Sequence, residues 1–260
     1  YPLILIIHGL GVDRGTMNAN ITSQILANYG YAVCDISYGD IGGYNSSDIN
    51  STQQKGYDMP DIIFQIAKFL QFIENNSEYY HVDVSKTAVV GRSWGGLIAS
   101  ILGFGYQHPF FAGNFSSNLN IQSVILFYAA TKIFTAGDSI FNVGDMFELI
   151  DKRAPLIRGS SDNKSTTYNP QWVFFDPYIL SSKTYGVSKL PNTLLFHGTH
   201  DLIVPPAWSR DFEKHLRNQG RITIAGYYPF SCHGFDGFSC SHYGQSSLYY
   251  MIRFIQLSSF

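Results

Sequence analysis

Residues 87–100 read TAVVGRSWGGLIAS, and this stretch decides the fold of the chain. Its β-branched beginning predicts a buried strand, and the small and apolar residues that follow have helical spacing. A strand that reverses directly into a helix strains the backbone at the apex, Ser93, so its neighbours two positions away must be glycine. Gly91 and Gly95 meet that requirement. We therefore expect the Ser93 hydroxyl to stand beyond the sheet edge, at a helix N-terminus whose free amides favour negative charge.

The same stretch matches the pattern G-x-S-x-G, in the strand–turn–helix context that this pattern needs. The match makes Ser93 the candidate nucleophile. The alternative is a glycine-rich turn that merely contains a serine, because a five-residue pattern recurs by chance.

Strand-like and helix-like segments alternate along the chain, which predicts right-handed βαβ units. The expected fold is α/β, with a mostly parallel sheet flanked by helices, in a single domain over residues 1–260. Besides the strand before Ser93, buried strands are predicted at 3–7, 31–38, 122–129, 193–196 and 221–228. Helices are predicted at 16–29, from Pro60 to Ile73, at 206–218 and at 243–257.

Two long segments interrupt this alternation, and the second is too long for a simple connection. Residues 39–56 are rich in Gly, Ser and Asn and predict a surface loop. Residues 131–189 predict a lid or a substrate-binding insertion, because long excursions near a site are usually functional. The candidate substrate-binding residues in that insertion are the apolar side chains Phe134, Phe141, Met146 and Trp172.

Composition excludes some classes of partner. The net charge is −2 and there is no basic run, so nucleic acid is not an expected partner. No apolar run is long enough for a transmembrane segment. The chain begins inside a predicted strand, so we expect it to be a piece of a longer polypeptide.

Six Asn-x-Ser/Thr sequons favour a secreted, extracytoplasmic glycoprotein, with a cytoplasmic protein as the alternative. They lie at Asn20, Asn45, Asn50, Asn75, Asn114 and Asn163. Of the three cysteines, Cys34 is expected to be a buried thiol. Cys232 and Cys240 could form a disulfide in an oxidising compartment, or both could be free.

A serine hydroxyl is a poor nucleophile unless a base lies within reach and an acid orients that base. In open α/β sheets, functional residues lie beyond the carboxyl ends of the strands. Asp201 and His233 each follow a later predicted strand, and the order Ser93, Asp201, His233 is that of a Ser–Asp–His triad. The alternatives are a carboxylate that caps the helix after Pro205 and a surface histidine.

The chain resembles the α/β-hydrolases, in particular the esterase and prolyl-oligopeptidase-like branch with its dienelactone hydrolases and feruloyl-esterase-like enzymes. Gly-Thr-x-Asp-x-x-Val-Pro at 198–205 and His-Gly-Phe at 233–235 are similar to the acid and histidine motifs of that branch. The segment 82–87 is similar to its usual lead-in to the nucleophile. The resemblance covers nearly the whole chain, and it implies an α/β-hydrolase fold whose usual first strands are missing here.

Acyl transfer also needs N–H donors for the oxyanion. The amide of Trp94, which follows the nucleophile, is one expected donor. The resemblance implies that the amide of Leu10 is the other, with Gly9 as the second choice. His8 is expected to orient this loop rather than to act as a second base.

The other histidines are expected to be structural: His81, His108, His197, His200, His215 and His242. The spacing of His197, His200 and Asp201 leaves a metal site as an alternative, but no other ligand has zinc-like spacing, so we expect no metal and no cofactor.

Together, these observations predict a carboxylesterase-like serine hydrolase that forms an acyl-enzyme on Ser93, with a small-molecule ester or a short peptide as substrate. One alternative is a prolyl-oligopeptidase-like serine peptidase, because Trp94 and the Gly95–Gly96 pair resemble the residues that follow the nucleophile in such peptidases. Another is a catalytically inactive hydrolase fold that serves as a binding module. The oligomeric state is not predicted by the sequence.

Overall fold

Parallel strands form one six-stranded sheet in the computed structural model, which describes residues 1–10, 12–39, 59–132, 174–183 and 190–258. The strand order is β2-β1-β3-β4-β5-β6, and each neighbouring pair is parallel. The strands are β1 (Pro2–Ile7), β2 (Ala32–Ile36), β3 (Asp83–Arg92), β4 (Ile121–Phe127), β5 (Asn192–Gly198) and β6 (Thr223–Tyr228). The α/β class and the parallel sheet predicted from the sequence are confirmed.

Helices connect these strands and cover both faces of the sheet. The longer ones are α1 (Ala19–Asn28), α2 (Met59–Asn75), α4 (Trp94–Gly105), α7 (Pro206–Asn218) and α8 (His242–Ser258). The short ones are α3 (Ser77–Tyr80), α5 (Pro109–Ala112) and α6 (Pro177–Leu180), and a 3₁₀ turn spans Phe235–Gly237. Within the described ranges, no helix is both long enough and apolar enough to cross a bilayer.

Alternate residues of each strand enter opposite cores, as the two-residue period of a strand requires. Leu3, Leu5 and Ile7 of β1 pack in the core that also contains the apolar residues of α2, α4 and α7. Ile4 and Ile6 pack in the second core, with residues of α1 and α8. A continuous apolar run such as 3–7 is therefore a strand that is buried on both faces.

Two boundaries differ from the sequence prediction. Helix α1 begins at Ala19 rather than at residue 16, because Met17 and Asn18 both have positive φ and cannot be part of a right-handed helix. Strand β3 begins at Asp83, where the sequence predicts a turn, and its pairing with β1 shifts register before Thr87. The insertion predicted at 131–189 falls largely outside the described residues.

Candidate active site

Ser93 stands at the apex between β3 and α4, with φ 55° and ψ −117°. A positive φ is uncommon for a residue with a side chain, and here hydrogen bonds of the Ser93 backbone hold it. The Ser93 N–H donates to the carbonyl of Phe127 at 2.9 Å, and the Ser93 carbonyl accepts from Gly96 at 3.0 Å and from Ala130 at 3.3 Å. The strain expected from the sequence is therefore present, and the surrounding backbone fixes it.

The glycines on either side of Ser93 are required by close backbone approaches. A Cβ on Gly91 would overlap the carbonyl of Gly95. A Cβ on Gly95 would overlap the carbonyls of Ile7 and His8, at the end of β1. These contacts bring the beginning of α4 against the loop that follows β1.

The predicted acid and the predicted base form a hydrogen bond. His233 Nδ1 lies 2.7 Å from Asp201 Oδ2, although the residues come from loops after different strands, β6 and β5. The amides of Ile203 and Val204 donate to Asp201 Oδ1 at 2.8 and 2.9 Å. The bond at Nδ1 orients the imidazole and leaves Nε2 as the ring nitrogen that can accept a proton.

A second histidine also contacts Asp201. His197, fully buried at the end of β5, places Nε2 3.1 Å from Asp201 Oδ2, and its Nδ1 lies 2.6 Å from Ser209 Oγ. Burial favours a higher pKa for Asp201, but the hydrogen bonds from His197 and His233 outweigh burial and hold that pKa well below its ordinary value. The carboxyl group is therefore ionised throughout the neutral range.

The role of His197 is missed by sequence reasoning, which treats this residue as one more structural histidine. The available signal is its position four residues before Asp201, within the strand end that leads to the acid motif. The metal site that the sequence leaves as an alternative is not assembled there: the His200 ring packs against Phe230 at 5.0 Å, while His197 Nε2 lies 3.1 Å from Asp201 Oδ2. In the described part of the chain, no cluster of three His, Cys, Asp or Glu residues could hold a metal ion.

Ser93 and His233 lie at the same end of the sheet, joined by the segment after β4. Tyr128 lies in that segment, between Phe127 and Ala130, which both bind the backbone of Ser93. The Tyr128 ring packs against the His233 ring, with centroids 4.3 Å apart. The hydrogen bonds among the described residues do not include one between Ser93 Oγ and His233. Catalytic hydrogen bonds are often long without substrate and shorten when it binds.

The predicted oxyanion loop lies beside Ser93. A Cβ on Gly9 would be 3.4 Å from Ser93 Cβ, so the backbone of Gly9 passes next to the candidate nucleophile. His8 Nδ1 donates to the carbonyl of Gly9 at 2.8 Å, and the Tyr38 hydroxyl donates to the carbonyl of His8 at 2.9 Å. The bond from His8 fixes the peptide whose N–H belongs to Leu10, which agrees with an orienting role for His8.

Trp94 is the first residue of α4, so its amide belongs to the N–H groups that the helix leaves unpaired. The four predicted substrate-binding residues, Phe134, Phe141, Met146 and Trp172, lie outside the described residues. All three cysteines are free: Cys232 and Cys240 are exposed, and Cys34 is half-buried rather than fully buried. Burial raises the pKa of the Cys34 thiol.

Comparison with known proteins places the chain in a family. The family model described as BD-FAE matches residues 1–216. The chain is 23% identical over 180 residues to the probable carboxylic ester hydrolase LipM of Mycobacterium tuberculosis (strain ATCC 25618 / H37Rv). That match covers 68% of this chain but only 38% of LipM, so the chain spans little more than a third of that relative.

Solved structures with the same fold include esterases and a related hydrolase, by name. Propionate-bound Est2 from Thermogutta terrifontis superposes with a TM-score of 0.69 at 18% identity, over 98% of this chain and 82% of that chain. Esterase B from Lactobacillus rhamnosis gives a TM-score of 0.74 at 19% identity, over 99% and 76%. The acetyl ester-xyloside bifunctional hydrolase from Caldicellulosiruptor lactoaceticus gives 0.68 at 16% identity, over 98% and 82%. At these identities, the likeness establishes the fold alone.

Proposed function

This chain belongs to the BD-FAE family, within the α/β-hydrolase superfamily, and we propose that it is a serine hydrolase that cleaves carboxylic esters. One observation carries the proposal: a buried, ionised Asp201 holds the His233 imidazole at the sheet end where Ser93 is strained outward. Nucleophilic catalysis by serine needs such an arrangement, in which an acid orients a base at the end of the sheet that carries the hydroxyl. The names of LipM, Est2 and esterase B, an ester hydrolase and two esterases, support the same reaction class.

The proposed reaction proceeds through an acyl-enzyme. His233 Nε2 accepts the proton of the Ser93 hydroxyl as Oγ attacks the ester carbonyl. The tetrahedral oxyanion accepts hydrogen bonds from the amide of Trp94 and from that of Leu10 or Gly9. The imidazolium then protonates the leaving alcohol, and a water molecule, activated by the same imidazole, releases the acid. Asp201 remains ionised throughout and stabilises the imidazolium.

Short acyl chains are the first substrates to test, because solved structures of Est2 contain propionate and butyrate. We expect turnover of p-nitrophenyl propionate and butyrate, and covalent labelling of Ser93 by a fluorophosphonate probe. If the folded protein neither hydrolyses these esters nor accepts the label, the chain is an inactive hydrolase fold that serves as a binding module.

The second candidate is a serine peptidase that uses the same Ser93, Asp201 and His233. Trp94 after the nucleophile and the Gly95–Gly96 pair favour this candidate. The two functions separate when p-nitrophenyl butyrate is compared with an aminoacyl-proline p-nitroanilide under identical conditions. Faster hydrolysis of the anilide would assign the peptidase, and faster hydrolysis of the ester would assign the esterase.

We also propose that the protein is glycosylated outside the cytoplasm. Three sequon asparagines lie in the described residues, Asn20, Asn75 and Asn114, and all three are exposed, as attachment of a glycan requires. Asn45, Asn50 and Asn163 lie outside the described residues. Treatment of protein from its native cells with peptide-N-glycosidase should lower its mass, and an unchanged mass would contradict the glycosylation.

A further inference from the structure

A buried ion pair joins the turn at the nucleophile to the loop of the base. Arg92, immediately before Ser93, is only 4% exposed, and its Nε donates to Asp236 Oδ2 at 2.6 Å. Asp236 is also buried and lies three residues after His233, in the 3₁₀ turn that ends this loop. The two residues are 144 positions apart in the chain, so the bond ties the last residue of β3 to the loop that follows β6.

The second oxygen of the same carboxylate binds a tyrosine that contacts the base. The Tyr128 hydroxyl donates to Asp236 Oδ1 at 2.6 Å, and the Tyr128 ring packs against the His233 ring. Burial, and next the charge of Asp236, raise the pKa of Tyr128 well above its ordinary value, so the hydroxyl keeps its proton and remains a donor. Asp236 thus accepts one bond from each side of the active site.

Stability alone does not account for this arrangement. A buried ion pair is often no more stable than apolar residues of the same volume. Arg92 Nη1 has no hydrogen-bond partner among the described residues, although the guanidinium carbon lies 5.1 Å from the centroid of the Phe127 ring. Tyr128 has φ 39°, which is a real outlier for a bulky aromatic residue. Strained residues of this kind persist where they hold a functional geometry.

We propose that Tyr128, Asp236 and Arg92 are positioning residues that set the placement of the His233 imidazole relative to Ser93. The proposal rests on the proposed serine-hydrolase function. Asp201 fixes one side of the imidazole through Nδ1, while Tyr128, held by Asp236, packs against the ring. Arg92, the residue immediately before Ser93, binds Asp236. The three side chains therefore form a brace across the site.

The variant Tyr128→Phe tests the brace most directly, because it keeps the ring against His233 and removes only the hydroxyl that binds Asp236. We expect kcat for p-nitrophenyl butyrate to fall about 10- to 100-fold while KM changes less than about 3-fold, since small misplacements of catalytic groups slow the chemical step. The rate of fluorophosphonate labelling of Ser93 should fall by a similar factor.

Tyr106→Phe is the matched control. Tyr106 is also buried, at the other end of α4, and its hydroxyl accepts a hydrogen bond from Gln107 at 2.6 Å. This variant should lose some stability but keep kcat. If Tyr128→Phe keeps wild-type kcat, or if Tyr106→Phe lowers kcat as much, the positioning role is wrong.

Asp236→Asn gives a second measurement that depends on the same brace. The double variant Tyr128→Phe/Asp236→Asn should be slowed by less than the product of the two single effects, because both substitutions break one unit. Multiplicative effects would overturn the proposal. Ser93→Ala separates this failure from failure of the proposed function: if Ser93→Ala remains active, the hydrolase mechanism itself is wrong.

Discussion

At the residue scale, the proposed chemistry depends on one hydroxyl. Ser93→Ala should reduce ester hydrolysis by about four orders of magnitude or more, because the nucleophile has no substitute. The free energy of unfolding should change by less than about 1 kcal/mol, since Ser93 is held through its backbone bonds to Phe127, Gly96 and Ala130. Initial rates and urea unfolding measure the two effects. Activity retained in this variant would disprove the role of Ser93.

The second residue-scale prediction concerns His197, which donates to Asp201 beside His233. His197→Phe keeps a ring in the buried space but removes one partner from each of three groups: Asp201 Oδ2, the Val204 carbonyl, which lies 3.0 Å from His197 Nε2, and Ser209 Oγ. We expect a loss of about 1–3 kcal/mol in unfolding free energy, the cost of unpaired buried polar groups. The pKa of Asp201 should rise towards its ordinary value, because one of the bonds that lower it is lost.

Urea unfolding of His197→Phe checks the predicted loss of stability. His197→Gln, which keeps an N–H donor at the site, should lose less stability. Equal stability of His197→Phe and the wild type would show that the bond from His197 to Asp201 contributes nothing.

At the scale of elements, the contact of α4 with the end of β1 sets how closely the nucleophile approaches the oxyanion loop. Gly95→Ala should destabilise the fold by about 1–3 kcal/mol, because the new methyl group pushes against the carbonyls of Ile7 and His8. It should also lower kcat, since the loop and Ser93 are forced apart. Gly113→Ala is the matched control, because a Cβ there has no neighbour within 4 Å and φ is −67°.

Thermal unfolding and kcat of the two variants test this contact. A Gly95→Ala protein as stable and as active as Gly113→Ala would mean that the backbone at the beginning of α4 can relax.

The elements themselves could mostly be predicted from the sequence, because each strand and long helix has its own local pattern. Helix α7 begins and ends where the sequence predicts, at Pro206 and Asn218. The turn at Ser93 could be predicted because its glycines are required by sterics. The short helix α5 was not predicted, although His108 before Pro109 caps it by accepting from Phe110.

Of the contacts described at the site, the bond between the acid and the base could be predicted, and the bonds to Asp236 could not. The Asp201–His233 bond follows from the order of motifs along the chain. The bonds from Tyr128 and Arg92 to Asp236 join residues 108 and 144 positions apart, and no periodicity or motif encodes such pairs. Residues 133–173 lie outside the described residues, so the predicted substrate pocket remains a prediction.

At the scale of the whole molecule, the buried Asp201 makes stability depend on pH. Its folded pKa is depressed, so the unfolded chain binds more protons as the pH falls. The stabilisation from Asp201 is therefore complete above its unfolded pKa of about 3.9 and is lost as the pH falls below that value. Urea unfolding at neutral pH and near pH 3 should show the loss.

Asp201→Asn isolates this contribution, because asparagine does not titrate. The variant should be less stable than the wild type at neutral pH, and the difference between the two should shrink in acid. A difference that stays constant with pH would contradict the depressed pKa of Asp201.

The parallel sheet has one further consequence. Ser93 follows β3, whereas Asp201 and His233 follow β5 and β6. The pairing of β4 with β5 joins these two parts of the sheet. A chain severed between β4 and β5 would leave the hydroxyl on one fragment and the acid–base pair on the other. Neither fragment could turn over substrate by itself, and complementation would require Val124–Phe127 to dock in register along Thr193–Phe196.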